Sequence, residues 1–421
     1  MIRQIPFNII LFIVMIAIFP VIELLNGFLL TSNASISVPV GAIYRILLCV
    51  FLIVMILVAG LRRSAITVII IMFVIGNLTI FIVQGIFFQS PLSILFEDIS
   101  VHIKYFIWVL IPLYIYQRKK FFQSIHYETI FIIISFFFTV GLITPYLLGL
   151  GYQTYANSDA GYKGFFFANN DTSFAFIISI TYTAKVFVRS LTEDWGVRIT
   201  FLLSLFIGNI FCLLLIGTKT GIVYGLFIGI MVLVKLLFYA KYKSIWKALF
   251  IWLGAILALS WLAFKGVSYM SQMVAGTYER IIYFYYLYDG NLIRLLTSSR
   301  SDFLEGGMTF FLGDPNFKFN LLFGQGFEHR LEAFGRLGLI EMDFFDTLFG
   351  LGLMGILFLC VTIGYFIAIA FEKDSRSIHS YVLIVILVYS FFAGHVLFSA
   401  LSTTLLGLVC GGIILSKKEC E

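Results

Sequence analysis

The sequence predicts an all-α polytopic membrane protein that crosses the bilayer about twelve times, at roughly 20 apolar residues per crossing, and carries one large loop on its outer face. Three observations predict it. Apolar runs of spanning length recur along the 421 residues. The residues are 61% hydrophobic and 12% charged, with a mean hydropathy of +1.03, whereas soluble domains carry about a quarter charged residues. Basic residues collect at every second connection, as a polytopic chain requires.

The spans fall near 7–24, 40–60, 65–88, 99–116, 127–149, 172–188, 199–216, 220–239, 245–264, 344–371, 380–398 and 401–416. The junctions at 217–219 and 399–400 are short enough for each to be one bent helix. Met1-Ile2-Arg3 runs directly into an apolar stretch with no Ala-x-Ala site behind it. It therefore reads as a first span rather than a removed signal peptide. Arg62/Arg63, Arg118/Lys119/Lys120, Lys185/Arg189/Arg198, Lys241/Lys243/Lys247, Lys373/Arg376 and Lys417/Lys418 mark alternate connections. That asymmetry places both termini in the cytoplasm. The chain divides into 1–264 with spans one to nine, an outer loop at 265–343, and 344–421 with the last three spans and the tail.

The charge pattern also excludes functions. The net charge of +6 is absorbed by the cytoplasmic connections, and no Lys/Arg run exceeds three residues, so nucleic acid is not a partner. Cys49, Cys212, Cys360, Cys410 and Cys420 avoid the outer segments and match no zinc spacing, which argues against a disulfide framework or a metal.

Ionisable groups at membrane depth are costly, so their placement is informative. Arg45, the group Glu97, Asp98, His102 and Lys104, then Lys219 and His395 all fall at outer ends of spans. A proton-coupled transporter would place charge near the midplane. This distribution suits a protein acting on something held in the outer leaflet, although long basic side chains also reach headgroups simply by snorkelling.

The outer loop is rich in Tyr, Phe, Gly and charge, as a folded segment is. It holds Arg294, Ser299-Arg300, Gly324-Gln325-Gly326-Phe327-Glu328-His329-Arg330 and, opening the next span, Glu341-Met342-Asp343-Phe344-Phe345-Asp346. Arginines suit a diphosphate, because a guanidinium stays charged and donates paired hydrogen bonds. Carboxylates and His suit deprotonation of an acceptor hydroxyl, and Tyr283, Tyr285, Tyr286 and Tyr288 suit stacking on sugars. Each has a plainer role open to it. First-turn acids cap a helix, the glycines after 349 permit close helix packing, tyrosines form interfacial belts, and a loop His is commonly a surface residue.

This layout, with its late outer loop and three spans after it, resembles the Wzy-type O-antigen and capsule polymerases and the related O-antigen ligases. Gly164-Phe165-Phe166-Phe167-Ala168-Asn169-Asn170-Asp171 resembles the family's Gly-x-Phe-x-Asn-x-Asn stretch. Thr218-Lys219-Thr220-Gly221 resembles its Thr-x-Ser-Arg-Gly turn, and Ser299-Arg300 with Phe323-Gly324-Gln325-Gly326 its Gly-Arg … Gly-x-Gly segment. Where ligases carry a His, this chain has Glu341, with Gly352 and Gly355 eleven and fourteen residues later.

The resemblance implies a fold of the GT-C type in a bacterial inner membrane. It implies a metal-independent inverting glycosyltransferase with no cofactor, acting on undecaprenyl-diphosphate-linked oligosaccharide among membrane lipids, with a chain-length regulator as a further partner. The candidate diphosphate ligands are Arg300, Arg294 and Lys219, with Lys163, Arg330 and Arg45 behind them. Glu341 or Asp343 is the candidate base, with Glu328 and His329 as the other choices. A ligase, or a flippase for lipid-linked sugars, is the alternative.

Overall fold

A computed structural model of the chain describes residues 6–32, 39–155, 161–191, 197–242, 281–373 and 375–417, together with 253 and 278–279. The span expected at 245–264 and the start of the outer loop lie outside the described residues, single positions aside. In chain order the first helices are α1 (Phe7–Thr31), α2 (Val40–Val58), α3 (Ala65–Phe88), α4 (Leu92–Gln117), α5 (Lys119–Phe122) and α6 (Glu128–Leu147). A short hairpin, β1 (Tyr152–Gln153) and β2 (Tyr162–Gly164), precedes α7 (Asn169–Ser190), α8 (Val197–Ile216) and α9 (Lys219–Tyr242). The segment expected on the outer face contributes α10 (Leu292–Thr297), α11 (Arg300–Gly313), α12 (Phe317–Phe323) and α13 (Phe327–Phe334). The chain closes with α14 (Asp343–Phe371), α15 (Ile378–Ala393) and α16 (Ala400–Ser416).

Seven of the described helices are long and apolar enough to cross a membrane: α1, α2, α3, α6, α8, α9 and α14. The protein is thus a mostly helical, multi-span membrane protein. The other long helices differ for physical reasons. α7 is studded with Thr and Ser, yet Thr172, Ser173, Ser179, Thr181, Thr183 and Ser190 are all buried, because α6, α8 and α9 pack around it. α4 is enclosed in the same way by α3, α13 and α16. A helix wrapped in protein needs no lipid-compatible surface. α15 and α16 are simply short.

Neither tight junction is a bent helix. Gly217, at φ 72°, breaks the chain between α8 and α9. α15 ends at Ala393 and an irregular stretch leads to α16, with Gly394 at φ 64°. α4 begins at Leu92 behind Pro91, well ahead of the expected residue 99, so Glu97 and Asp98 lie within the helix.

The chain forms two compact units. The first comprises Met1–Gly41 and His126–Phe284. Within it Ser135 of α6 meets Thr183 of α7, hydroxyl to hydroxyl, at 3.2 Å and Asn209 of α8, whose Oδ1 accepts from Ser135 Oγ at 3.3 Å. The hairpin docks beside α8, where Thr154 Oγ1 donates to the Ile216 carbonyl at 2.8 Å. Ser173 and Thr218 hydroxyls meet at 2.7 Å, so the Asn-rich stretch and the Thr218–Gly221 turn sit together. At the other end, Glu128 binds Lys185 at 2.5 Å and Arg189 at 2.9 Å.

The second unit comprises Ala42–Ile125 and Tyr285–Glu421. Its core is α4 against α16 and α14 against α3. α14 is kinked at Gly352, whose φ of 69° and ψ of −169° only glycine adopts readily. The α12–α13 loop enters that kink. Gln325 N–H donates to the Phe349 carbonyl at 2.9 Å and Gly326 N–H to the Gly350 carbonyl at 3.0 Å. Gln84 of α3 donates to the Phe323 carbonyl at 2.5 Å and the Gly350 carbonyl at 2.7 Å. A Cβ on Gly324 would overlap the Gly350 carbonyl, and one on Gly352 would meet Leu322 at 2.5 Å. The loop glycines therefore allow two backbones to touch.

Candidate functional site

Three candidates stand at the start of α11 and the start of α14: Arg300, Glu341 and Asp343. Ser298 and Ser299 have φ of 54° and 66°, turning the chain sharply so that Arg300 opens α11. Arg300 is 8% exposed. Its Nη2 donates to Glu341 Oε2 at 2.8 Å, and its buried Nε finds no acceptor among the described residues. A buried guanidinium N–H without a partner is costly, and it is the donor an incoming anion would engage.

Glu341 is the other half of the pair. Its side chain is 42% exposed, so the carboxylate is reachable while its backbone is fixed. Its φ is +62°, a region a non-glycine residue seldom occupies. Gly394 lies against the Glu341 carbonyl so closely that a Cβ would overlap it. Asp346, 3% exposed, accepts from Ile340 N–H at 2.8 Å and from Met342 N–H at 3.1 Å.

Asp343 has a different setting from Glu341. It is fully buried. Its Oδ2 accepts from Ser390 Oγ at 2.6 Å, Val396 N–H at 2.9 Å and Leu397 N–H at 3.3 Å. That carboxylate ties α14 to the end of α15 and the 394–399 stretch, and is enclosed where an acceptor sugar would need access.

Arg330 is 2% exposed, with its guanidinium 4.5 Å from the Phe349 ring centroid. Nε donates to the Gly338 carbonyl at 3.1 Å and Nη1 to Gln325 Oε1 at 2.9 Å. Gln325 in turn donates to Asp314 at 2.9 Å. Burial pulls Arg330 down to about 10, and Asp346 opposes that fall, so the group is still charged at neutral pH. Its Nη2 finds no acceptor among the described residues.

Glu328 and His329 sit at the start of α13, which is capped from another helix. Asp98 Oδ1 accepts from Phe327 N–H at 3.1 Å and Glu328 N–H at 2.9 Å. His102 Nδ1 is 2.8 Å from the Asp98 carbonyl. Asp98 and His102 are thus turned into the protein. Burial raises Glu328 above the ordinary carboxylate range, and the nearby Glu97 and Asp98 charges raise it further. His329 stacks on Phe88 at 4.5 Å.

The remaining candidates have partners of their own or a different setting from the Arg300–Glu341 pair. Arg294 Nε binds Asp302 at 2.8 Å, which neutralises it locally. Arg45 is half-buried on α2. Lys163 and Lys219 belong to the first unit. Lys163 Nζ donates to the Phe167 carbonyl at 3.0 Å, and burial lowers its pKa below the usual lysine value. Lys219 opens α9. Among the described residues no three His, Cys, Asp or Glu side chains converge as a metal ion would need.

Sequence reading did not single out Gln84, Asp314 or Ser390. Gln84 had a signal, an amide side chain near the end of a largely apolar span. Asp314 and Ser390 had none.

The helix lengths and the packing of both units define a multi-span helical membrane protein. The family model described as O-antigen ligase like membrane protein matches residues 6–291, and the chain belongs to that family. No curated protein matches the sequence.

Proposed function

We propose that the protein polymerises lipid-linked oligosaccharide repeat units at the outer face of a bacterial inner membrane, as an inverting glycosyltransferase of GT-C type with about twelve spans and cytoplasmic termini. The observation that carries this reading is the 2.8 Å pair of Arg300 and Glu341. It sets a buried cation with an unused N–H next to a reachable carboxylate. The family assignment supports work on lipid-linked glycans, and the clustering of polar groups at outer span ends supports the outer face.

In the proposed reaction Arg300 binds the donor diphosphate through Nε, and Arg330 reinforces the positive field beside it. Glu341 takes the proton from a hydroxyl of the acceptor sugar. That oxygen bonds to the donor's anomeric carbon as the carbon–oxygen bond to the diphosphate breaks. The leaving undecaprenyl diphosphate carries off the electron pair, and Arg300 stabilises its developing charge. Asp343, enclosed and triply bonded, holds α14 in place. Glu328 and His329 serve as acceptor-side contacts. A length-regulating protein is the expected partner.

Single replacements test this with expression and folding checked. Arg300→Ala and Glu341→Ala should each abolish long-chain polymer. If both leave it unchanged, the site is elsewhere. The ligase reading uses the same donor chemistry with a different acceptor.

A further inference from the structure

One buried carboxylate beside the site has no part in the reaction just described. We propose that Asp346 is a positioning residue for Glu341, holding the backbone turn that aims the Glu341 carboxylate at Arg300. This rests on the reading of Glu341 as the base.

The conformation of Glu341 needs a restraint. At φ +62° an L-residue is strained relative to extended or helical backbone. Free to relax, the chain would rotate and swing the side chain off its line to Arg300. No glycine or asparagine at 341 eases the turn. Something around it must enforce it.

Asp346 is placed to do so. Its two oxygens take the amides on either side of Glu341, Ile340 at 2.8 Å and Met342 at 3.1 Å. The clamp is nearly solvent-free, a setting in which hydrogen bonds strengthen. Arg330 and His395 act on it electrostatically. On the opposite side the bare Cα of Gly394 admits the Glu341 carbonyl. Helix capping alone does not explain the arrangement. Capping accounts for the bond from Met342, which immediately precedes α14. It does not account for the bond from Ile340, two residues further out.

The test uses the purified full-length protein in lipid nanodiscs and compares Asp346→Asn and Asp346→Glu with the wild type. It reads amide exchange across residues 339–344 and the steady-state polymerisation of a lipid-linked repeat unit. Asparagine keeps one acceptor and turns a donor toward an amide. In that variant exchange should quicken about tenfold, and kcat should fall about tenfold with KM within about twofold. Unchanged exchange overturns the proposal. So does faster exchange with unchanged kcat, because the turn would then not matter to turnover. If Asp346→Asn does not fold, Asp346→Glu decides. Protection and turnover that move together support the clamp, and either one moving alone overturns it. Full turnover in Glu341→Gln would refute the assignment of the base itself, a separate result.

Discussion

Arg300 Nη2 and Glu341 Oε2 lie 2.8 Å apart although 41 residues separate them in the chain. One partner is nearly buried and the other is reachable from outside. Exposure of only one partner distinguishes this pair from Arg294–Asp302, where both side chains are more than a third exposed. Surface pairs of that second kind contribute little. A buried cation that keeps one N–H unused beside an accessible carboxylate can take up an anion without giving up that carboxylate.

Arg300→Lys should therefore be nearly as damaging as Arg300→Ala. A lysine keeps the charge but loses the planar fork that holds Glu341 and, in the proposed reaction, leaves Nε for a diphosphate. The expected loss in kcat is about 10²-fold or more. Arg294→Lys should change turnover by less than about threefold, since Asp302 already neutralises that position. Initial rates with a purified lipid-linked repeat unit check both.

Asp343 should matter chiefly for stability. Its carboxylate accepts three hydrogen bonds in a site closed to water. Asp343→Ala strands the Val396 and Leu397 amides and the Ser390 hydroxyl, at about 1–3 kcal/mol for each buried group left unpaired. Ser390→Ala removes one donor and should cost only about 1 kcal/mol. Thermal unfolding in detergent should rank Asp343→Ala well below Ser390→Ala, with the wild type highest.

Gly352→Ala should destabilise the kink. The φ of 69° with ψ of −169° is strained for any residue with a Cβ, at about 1–3 kcal/mol. The added carbon would also press on Leu322 at 2.5 Å. Gly364→Ala, on the same helix with nothing within 4 Å of its added carbon, is the control and should be neutral or slightly stabilising. Melting temperatures of the two variants check this directly.

Much of the fold was legible because the bilayer demands long apolar runs. The starts and ends of α3, α8 and α14 match the expected spans within a residue or two. Arg300 and Glu341 stood out in the sequence by residue type. Their contact was not legible, since it depends on two turns with positive φ at non-glycine residues, which no composition signal marks. The Asp98 cap on α13 was hidden for another reason. It joins residues 229 positions apart, so the charge at Asp98 read as outer-surface chemistry when it satisfies two backbone amides. Lys219 stands where the resembling turn has an Arg and Lys163 directly precedes the Asn-containing stretch, and both belong to the first unit.

Glu328 gives a prediction in pH. Burial and the neighbouring acids raise its pKa above its ordinary value of 4.5. A raised carboxyl favours the fold while protonated, so its contribution is complete below that ordinary value. It is lost as pH rises through the raised value. Between those points the wild type should lose stability with rising pH. Glu328→Gln should flatten that slope and melt no lower than the wild type at neutral pH. Melting curves from pH 4 to 8 check this.

The central claim is tested most directly by the lipid-linked sugars of cells lacking the gene, resolved by size and complemented with wild-type, Arg300→Ala or Glu341→Gln protein. The account predicts single repeat units with no ladder in the deletion strain and in both variants, and a full ladder with the wild type. Long polymer persisting on undecaprenyl diphosphate while surface-linked sugar disappears would contradict it, and would make the protein a ligase.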